Sequence, residues 1–555
     1  MWTYLALHCS FILAAFIPGY LAYENFFASK NDAKEHIVAY GFGLGLLILG
    51  AAQFINFLCA RNLALTNSFI LGLVCGVLIL RAFLCKIRLR NPFGWAFASY
   101  VLFSFYCLLL VSLLPAYFLA YKADWALYYP NVAHYVLEKP IEFYRNGLPM
   151  EYLVRRTPFF SLINAFFLSY TGNTYAYFQV ISSGVNSLIF WAVLIMGQKY
   201  YGRKTCAFIL LLLALMPAMT YNIGIPTPKP VVIFFILLCF ICYERFITSE
   251  NKWTDAALLA VCLCTAYMIH PSSLFYVVWL LVHQVYLIAR KQAAFPWRLA
   301  VCGIAAAAVI IAPWYCWGLS VLGAEKILVP TYTISEIKLS VPGYITSRIT
   351  ILLTTLFIPV TEPVMEALKN PPGPLNEAQY LLIWGNYWVR ANVETFFGGY
   401  GFLASIFFLV SYLTRGKPGA PSGISLPLSL SALGAAACLA VHFLIDHKGL
   451  AIGIMGPLLV LLFILFGSRA CRAPAWAKAA LVAAMLAEFA HHRCLAFKIT
   501  DLISRLANTR GQKPFLFLYD EISSPGFVYA AATALVVCFA LYAFSLKLYS
   551  SEHKN

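Results

Sequence analysis

The stretch Lys229-Pro230-Val231-Val232-Ile233-Phe234-Phe235-Ile236-Leu237-Leu238-Cys239-Phe240-Ile241-Cys242-Tyr243-Glu244-Arg245-Phe246 decides the fold. No charge interrupts it between Lys229 and Glu244. It is long enough to cross hydrocarbon, which takes about 17–25 residues as a helix. Inside lipid every backbone amide needs an internal partner, so such a run is a helix unless it alternates like a membrane barrel strand. It does not alternate.

Similar runs recur on both sides of it. They lie near 3–23, 37–59, 64–85, 97–121, 175–197, 205–222, 254–270, 272–289, 298–320, 398–413, 426–445, 449–467, 475–495 and 525–546. The expected fold is therefore all-α and polytopic, with about fifteen transmembrane helices. Composition agrees. Of 555 residues, 62% are hydrophobic and 11% charged. A soluble domain carries roughly twice that charge fraction.

The net charge is +17. In a soluble protein that excess would suggest nucleic acid, but no basic helix and no aromatic-interleaved basic patch occurs. The cations sit in short loops, where they set topology and meet anionic headgroups. Lys86, Arg88 and Arg90 form one such group, and Lys199, Arg203 and Lys204 another. Arg245 with Lys252, then Arg290, Lys291 and Arg298, continue the series, as do Arg415, Lys417, Arg469, Arg472, Lys478 and Lys547. Under the span assignment these loops all fall on one side, the cytoplasm. No removable signal peptide is expected, because the N-terminus lacks a basic lead and a small-residue cleavage site.

Of the sixteen cysteines, Cys9, Cys75, Cys107, Cys239, Cys242, Cys262, Cys264, Cys438 and Cys538 fall within apolar runs and read as small hydrophobes. No pair of CxxC elements at zinc spacing exists, so no structural metal is expected.

The opposite side receives three long segments, 122–174, 321–397 and 497–524, and short turns around 223–229 and 270–271. Recognition or catalysis belongs there, since the long segments hold most of the polar residues outside the membrane. Counting the short apolar segment 156–171 as a span would invert every later loop. It is expected to be a helix lying at the interface, as is 344–361. No internal repeat is apparent, which weighs against a transporter built from two homologous halves. Four regions follow: 1–95 with N-terminal extra helices, 96–320 as a core containing the first outer loop, 321–397 as a long outer loop, and 398–555 as C-terminal helices.

The first outer loop begins Tyr121-Lys122-Ala123-Asp124-Trp125-Ala126-Leu127-Tyr128-Tyr129. It continues to Arg155-Arg156-Thr157-Pro158-Phe159-Phe160 and an amphipathic stretch ending Gly172-Asn173. A span, the turn Tyr200-Tyr201-Gly202-Arg203-Lys204, and a span ending Leu215-Met216-Pro217-Ala218 come next. This ordering resembles the GT-C superfamily of glycosyltransferases, in the branch of protein O-mannosyltransferases and lipid A aminoarabinose transferases. That branch opens its first outer loop with an acidic residue. A basic-Pro stretch follows, leading to a juxtamembrane helix that ends in Gly. A turn with Gly and basic residues then separates the next two spans. His270-Pro271 and Ala312-Pro313-Trp314-Tyr315 also look like the family's pattern. The resemblance covers residues 97–320 well and 398–467 weakly.

The resemblance implies an inverting transfer of a sugar from a polyprenyl-phosphate donor to a hydroxyl acceptor (lipid, glycan or protein) on the outer face. The donor's isoprenoid tail lies in lipid, which explains an embedded enzyme. Asp124 is then the general base for the acceptor hydroxyl. Arg155 and Arg156 would bind the leaving phosphate through their planar forks, with Lys448 and Lys229 adding charge. The bland readings stand beside these: Asp124 as a helix-end residue, Arg155 and Arg156 as headgroup anchors, and Trp125, Tyr128 and Tyr129 as an aromatic belt. No nucleotide-binding motif is present and none is needed.

Glu488-Phe489-Ala490-His491-His492 places an acid and two histidines on one helical face. Tyr128, Tyr129, His270, Glu488 and His491 are candidate pocket residues, although a helix-ending His-Pro is usually punctuation. Relatives often carry a second acidic residue in the next outer turn. Here that turn is Ile223-Gly224-Ile225-Pro226-Thr227-Pro228-Lys229-Pro230 and has no carboxylate, so neither a metal nor another cofactor is expected.

Two other functions fit parts of the pattern. An O-antigen ligase or polymerase would use the late loop 321–397 through Tyr332, Arg348 and Arg390. A transporter would carry ionisable residues or broken helices near mid-membrane. Short loops, and the lack of any Asn-X-Ser/Thr sequon, point to the inner membrane of a bacterial cell envelope.

Overall fold

The computed structural model describes residues 2–29, 32–59, 63–112, 133, 136, 157–172, 175–224, 226–248, 252–324, 341–356, 456–487 and 489–490. Among these residues every regular element is a helix. Eight helices are long and apolar enough to cross a membrane: Thr3–Phe26, Lys34–Cys59, Ala64–Leu84, Tyr177–Tyr201, Lys229–Thr248, Lys252–Ile269, Pro271–Ala289 and Trp297–Ser320. Each coincides with a span expected from the sequence. The chain is an integral membrane protein of polytopic, all-helical build.

The helices are α1 Trp2–Phe26, α2 Lys34–Cys59, α3 Leu63–Leu84, α4 Trp95–Ser112, α5 Phe159–Thr171, α6 Tyr175–Ser187 and α7 Ile189–Tyr201. Then come α8 Arg203–Leu215, α9 Pro217–Gly224, α10 Lys229–Thr248, α11 Lys252–Ile269, α12 Leu274–Ala289, α13 Trp297–Ala306 and α14 Ala312–Leu322. Further along the chain are α15 Val341–Leu356 and α16 Gly456–Cys471. A π-helical turn, Ala307–Ile311, separates α13 from α14 ahead of Pro313, whose missing N–H accounts for the altered register.

The uninterrupted apolar helix α10 lies at the centre and packs against α2, α6, α7, α9, α11, α12 and α16. It is apolar on all sides because it touches protein on all sides. By contrast α3 exposes Leu65, Phe69, Leu73, Val77, Leu80 and Phe83, the pattern of a lipid-facing helix. The tightest crossing is α1 with α2. A Cβ on Gly45 would overlap the Ala15 carbonyl oxygen, and one on Gly19 would overlap the Gly41 carbonyl oxygen. Both helices thus use small residues four apart, which lets backbones approach where lipid offers no hydrophobic drive.

Two elements differ from expectation. The span 205–222 is broken into α8 and α9 at Met216, which is extended (φ −80°, ψ 108°) before Pro217. Proline removes the amide and pushes its predecessor out of the helical region. The segment expected to lie at the interface is helical as α5, but it is enclosed. From Phe159 to Leu168 no residue is more than 4% exposed, with α2, α3, α6 and α11 around it. Its apolar residues meet neighbouring helices rather than lipid.

The loops assigned to the cytoplasmic side come together at one end of the bundle. Arg90 forks onto Glu24 (Nε to Oε1 3.0 Å, Nη2 to Oε1 2.9 Å) and donates to the Ser29 carbonyl at 2.7 Å. Arg245 reaches Asp32 at 3.1 Å, Asp255 at 2.5 Å and the Phe27 carbonyl at 2.8 Å. Arg245 closes α10 and Asp255 opens α11, so each also complements its helix dipole. These two arginines turn inward to carboxylates instead of facing headgroups, because three loops far apart in sequence meet here.

Candidate functional site

The opposite end carries the turn from α9 to α10 and the turn after α11. These share an end because α10 and α11 are neighbours joined by a short connection at the charged end. Of the residues singled out in the sequence, the structure describes Lys229, His270 and, from the late loop, Arg348. Asp124, Tyr128, Tyr129, Arg155, Arg156, Lys448, Glu488 and His491 lie outside the described residues.

Lys229 is the first residue of α10 and is half-buried. An ammonium there sits at the positive end of a helix dipole, a placement that favours an anion nearby. His270 ends α11 and caps the short 3₁₀ turn Pro271–Ser273. Its Nδ1 accepts from the Ser272 amide at 3.2 Å and lies 2.8 Å from the Ser272 hydroxyl. Three residues earlier on α11, the Tyr267 hydroxyl meets that of Tyr315 on α14 at 2.6 Å.

The segment leading from Arg155-Arg156 enters the described residues at Thr157, which is buried, and Pro158. Proline suits the start of a helix, since the amide it lacks would have no helical partner. α5 then runs to Thr171 and stops at Gly172, whose φ of 89° lies in the region glycine alone adopts freely. Gly202 has φ 78° and stands between α7 and α8, directly before Arg203-Lys204.

One face of α6 is polar. Gln179, Ser182, Ser183, Asn186 and Ser187 follow helical spacing and are all fully buried. The Gln179 side-chain amide donates to the Gly224 carbonyl at 3.1 Å. Asn186 donates to the Thr227 carbonyl at 2.8 Å and to that of Ile223 at 3.5 Å. Ser182 donates to Asn164 Oδ1 on α5 at 3.0 Å, and Asn164 donates to the Phe160 carbonyl at 2.7 Å. Ser187 lies 3.2 Å from the Tyr100 hydroxyl on α4. Reading the sequence for charges and histidines passed over this face. The signal was there: five polar residues at period 3.6 inside an apolar run.

Among the described residues no three His, Cys, Asp or Glu side chains cluster as a metal would require. Chemically the described end offers neutral donors, a lysine at a helix start and an imidazole engaged in capping. That suits holding an anion's surroundings in place.

No family model matches the chain, and no curated protein matches it. A solved structure it is similar to is the crystal structure of ArnT from Cupriavidus metallidurans bound to undecaprenyl phosphate. The identity is 13%, the TM-score 0.37, and the match covers 69% of this chain and 67% of that one.

Proposed function

We propose that the chain is a GT-C-type glycosyltransferase. It moves a sugar from a polyprenyl-phosphate donor to a hydroxyl acceptor on the non-cytoplasmic face of a bacterial inner membrane. The observation that carries this reading is the order of elements. Asp124 lies in the sequence between α4 and α5, Arg155-Arg156-Thr157-Pro158 leads into α5, and that short helix ends at a positive-φ glycine before the next membrane-spanning helix. A second positive-φ glycine introduces the basic pair Arg203-Lys204.

In this mechanism Asp124 accepts the proton of the acceptor hydroxyl as its oxygen attacks the anomeric carbon. The bond from that carbon to the phosphate oxygen breaks on the opposite face, so configuration inverts. Polyprenyl phosphate leaves with its charge held by Arg155, Arg156, Lys229 and Lys448. Tyr128, Tyr129, His270, Glu488 and His491 are the proposed pocket residues. Lipid phosphate is an adequate leaving group without a divalent metal, and the turn 223–230 supplies no carboxylate to hold one.

The test is transfer from a polyprenyl-phosphate sugar by Asp124→Asn beside wild type at matched abundance. A loss of about 10²–10⁴-fold is expected for removing a general base. Full activity would move the chemistry to the late loop. One observation favours that second reading: Arg348 on α15 is 2% exposed, with its guanidinium 4.9 Å from the Tyr344 ring. A ligase or polymerase using it would survive Asp124→Asn and fail with Arg348→Ala.

A further inference from the structure

The charged end of the bundle is not paired throughout. Arg90, Lys199 and Arg245 each reach a carboxylate. The corner where α11 and α13 begin is different. α11 opens on Lys252-Trp253 and α13 on Trp297-Arg298, and the two helices pack against each other. A cation at a helix start meets a dipole that is already positive. α13 has no acid in its first turn, and the one in α11, Asp255, is held by Arg245 at 2.5 Å. Lys252 finds relief by donating to the Phe246 and Ile247 carbonyls at the close of α10, at 2.7 and 3.0 Å.

Arg298 has no such outlet. Its guanidinium carbon lies 5.5 Å from the Trp297 ring centroid and 5.8 Å from that of Trp253. The two indoles meet edge to face with centroids 4.9 Å apart. Indole rings attract a cation but take up none of a guanidinium's capacity for bidentate hydrogen bonding. The Arg298 Nε is shielded from solvent and meets no acceptor among the described residues. Both indoles are partly exposed, Trp253 44% and Trp297 51%. From Trp297 an exposed apolar line continues along α13 through Val301 and Ile304 at helical spacing.

We infer that Arg298, flanked by Trp253 and Trp297, is a site for the phosphate diester of an anionic phospholipid in the leaflet at the charged end. The guanidinium takes the phosphate, and an acyl chain follows Val301 and Ile304. The added negative charge offsets two cations at two helix starts and so holds α11 to α13. The site is at the opposite end from Lys229 and does not depend on the glycosyltransferase reading.

The experiment titrates the full chain in detergent with phosphatidylglycerol, phosphatidylcholine or inorganic phosphate, reading Tm and bound lipid by native mass spectrometry. Phosphatidylglycerol should raise Tm and stay bound as a discrete adduct, while the other two should do neither. Arg298→Gln should weaken phosphatidylglycerol about tenfold, the scale of one hydrogen bond to a charged group. Lys199→Gln removes the same charge from the same end and should change affinity less than about twofold, since an exposed, paired lysine contributes little. If Arg298→Gln does not accumulate, Trp297→Leu removes one stacking ring from an exposed position, and a loss of about threefold is expected. Wild-type affinity in Arg298→Gln or in Trp297→Leu would overturn the inference. So would equal losses in Arg298→Gln and Lys199→Gln, which would mean diffuse attraction between charges. Equal stabilisation by phosphatidylcholine or by inorganic phosphate would overturn the assignment to an anionic lipid.

Discussion

The two ends of the bundle are held by different chemistry. At one end, Arg90 and Arg245 lock three loops through Glu24, Asp32 and Asp255, whose carboxylates are nearly buried. At the other, the described hydrogen bonds run from the neutral side chains of Gln179, Ser182 and Asn186. An ion pair taken out of water recovers its desolvation only while both partners stay in place. It is a good latch where nothing else must bind. An amide–carbonyl bond adds no net charge. It can fix a backbone beside a charged ligand without competing for it. The difference assigns structure to the charged end and, among the described residues, leaves the potential of the amide end to Lys229.

The largest effect is expected from Arg245→Ala. It leaves nearly buried Asp255 without its guanidinium partner and Asp32 with only the more distant Arg90 at 3.9 Å, and should lower unfolding free energy by about 3–5 kcal/mol. Thermal unfolding in detergent reads this directly, and transfer per folded molecule should be unchanged. If transfer falls while Tm holds, the charged end is not merely a latch.

A smaller effect is expected from Gly45→Ala at the α1–α2 crossing, which lies between the ends. The added methyl meets the Ala15 carbonyl, so the helices must separate, at about 1–3 kcal/mol for overpacking. Because α1 also packs on α6, donor affinity should fall together with Tm. A loss of stability with donor KM intact would show that the amide end does not depend on this crossing.

The smallest is expected from Lys199→Ala. Its pair with Glu244 is short at 2.7 Å, but the two side chains are 33% and 25% exposed. Screening by solvent limits such a pair to less than about 1 kcal/mol. A larger drop would mean that the charged end acts as one network and not as separate bridges.

Much of this was legible beforehand. The eight long spans appear where apolar runs lie, since hydrocarbon thickness dictates both length and composition. The end of α5 at Gly172 was legible because its φ of 89° favours that residue. The break at Met216 was only half legible. Pro217 was visible, but whether a proline kinks a membrane helix or splits it depends on what neighbouring helices offer the freed backbone. The polar face of α6 was visible as a period, yet its meaning lay in its partners. Gly224 and Thr227 are ordinary turn residues until α6 is placed beside them.

By itself, the sequence determined that the chain is helical, embedded and polytopic. Those properties follow from the transfer free energy of each segment, which is local. Only the tertiary structure decided that α5 is enclosed rather than interfacial, that Arg90 and Arg245 face carboxylates, and that α6 holds the turn before Lys229. Each of these is a pairing between distant segments, and a pairing energy exists only once both groups have been brought into reach and taken out of water.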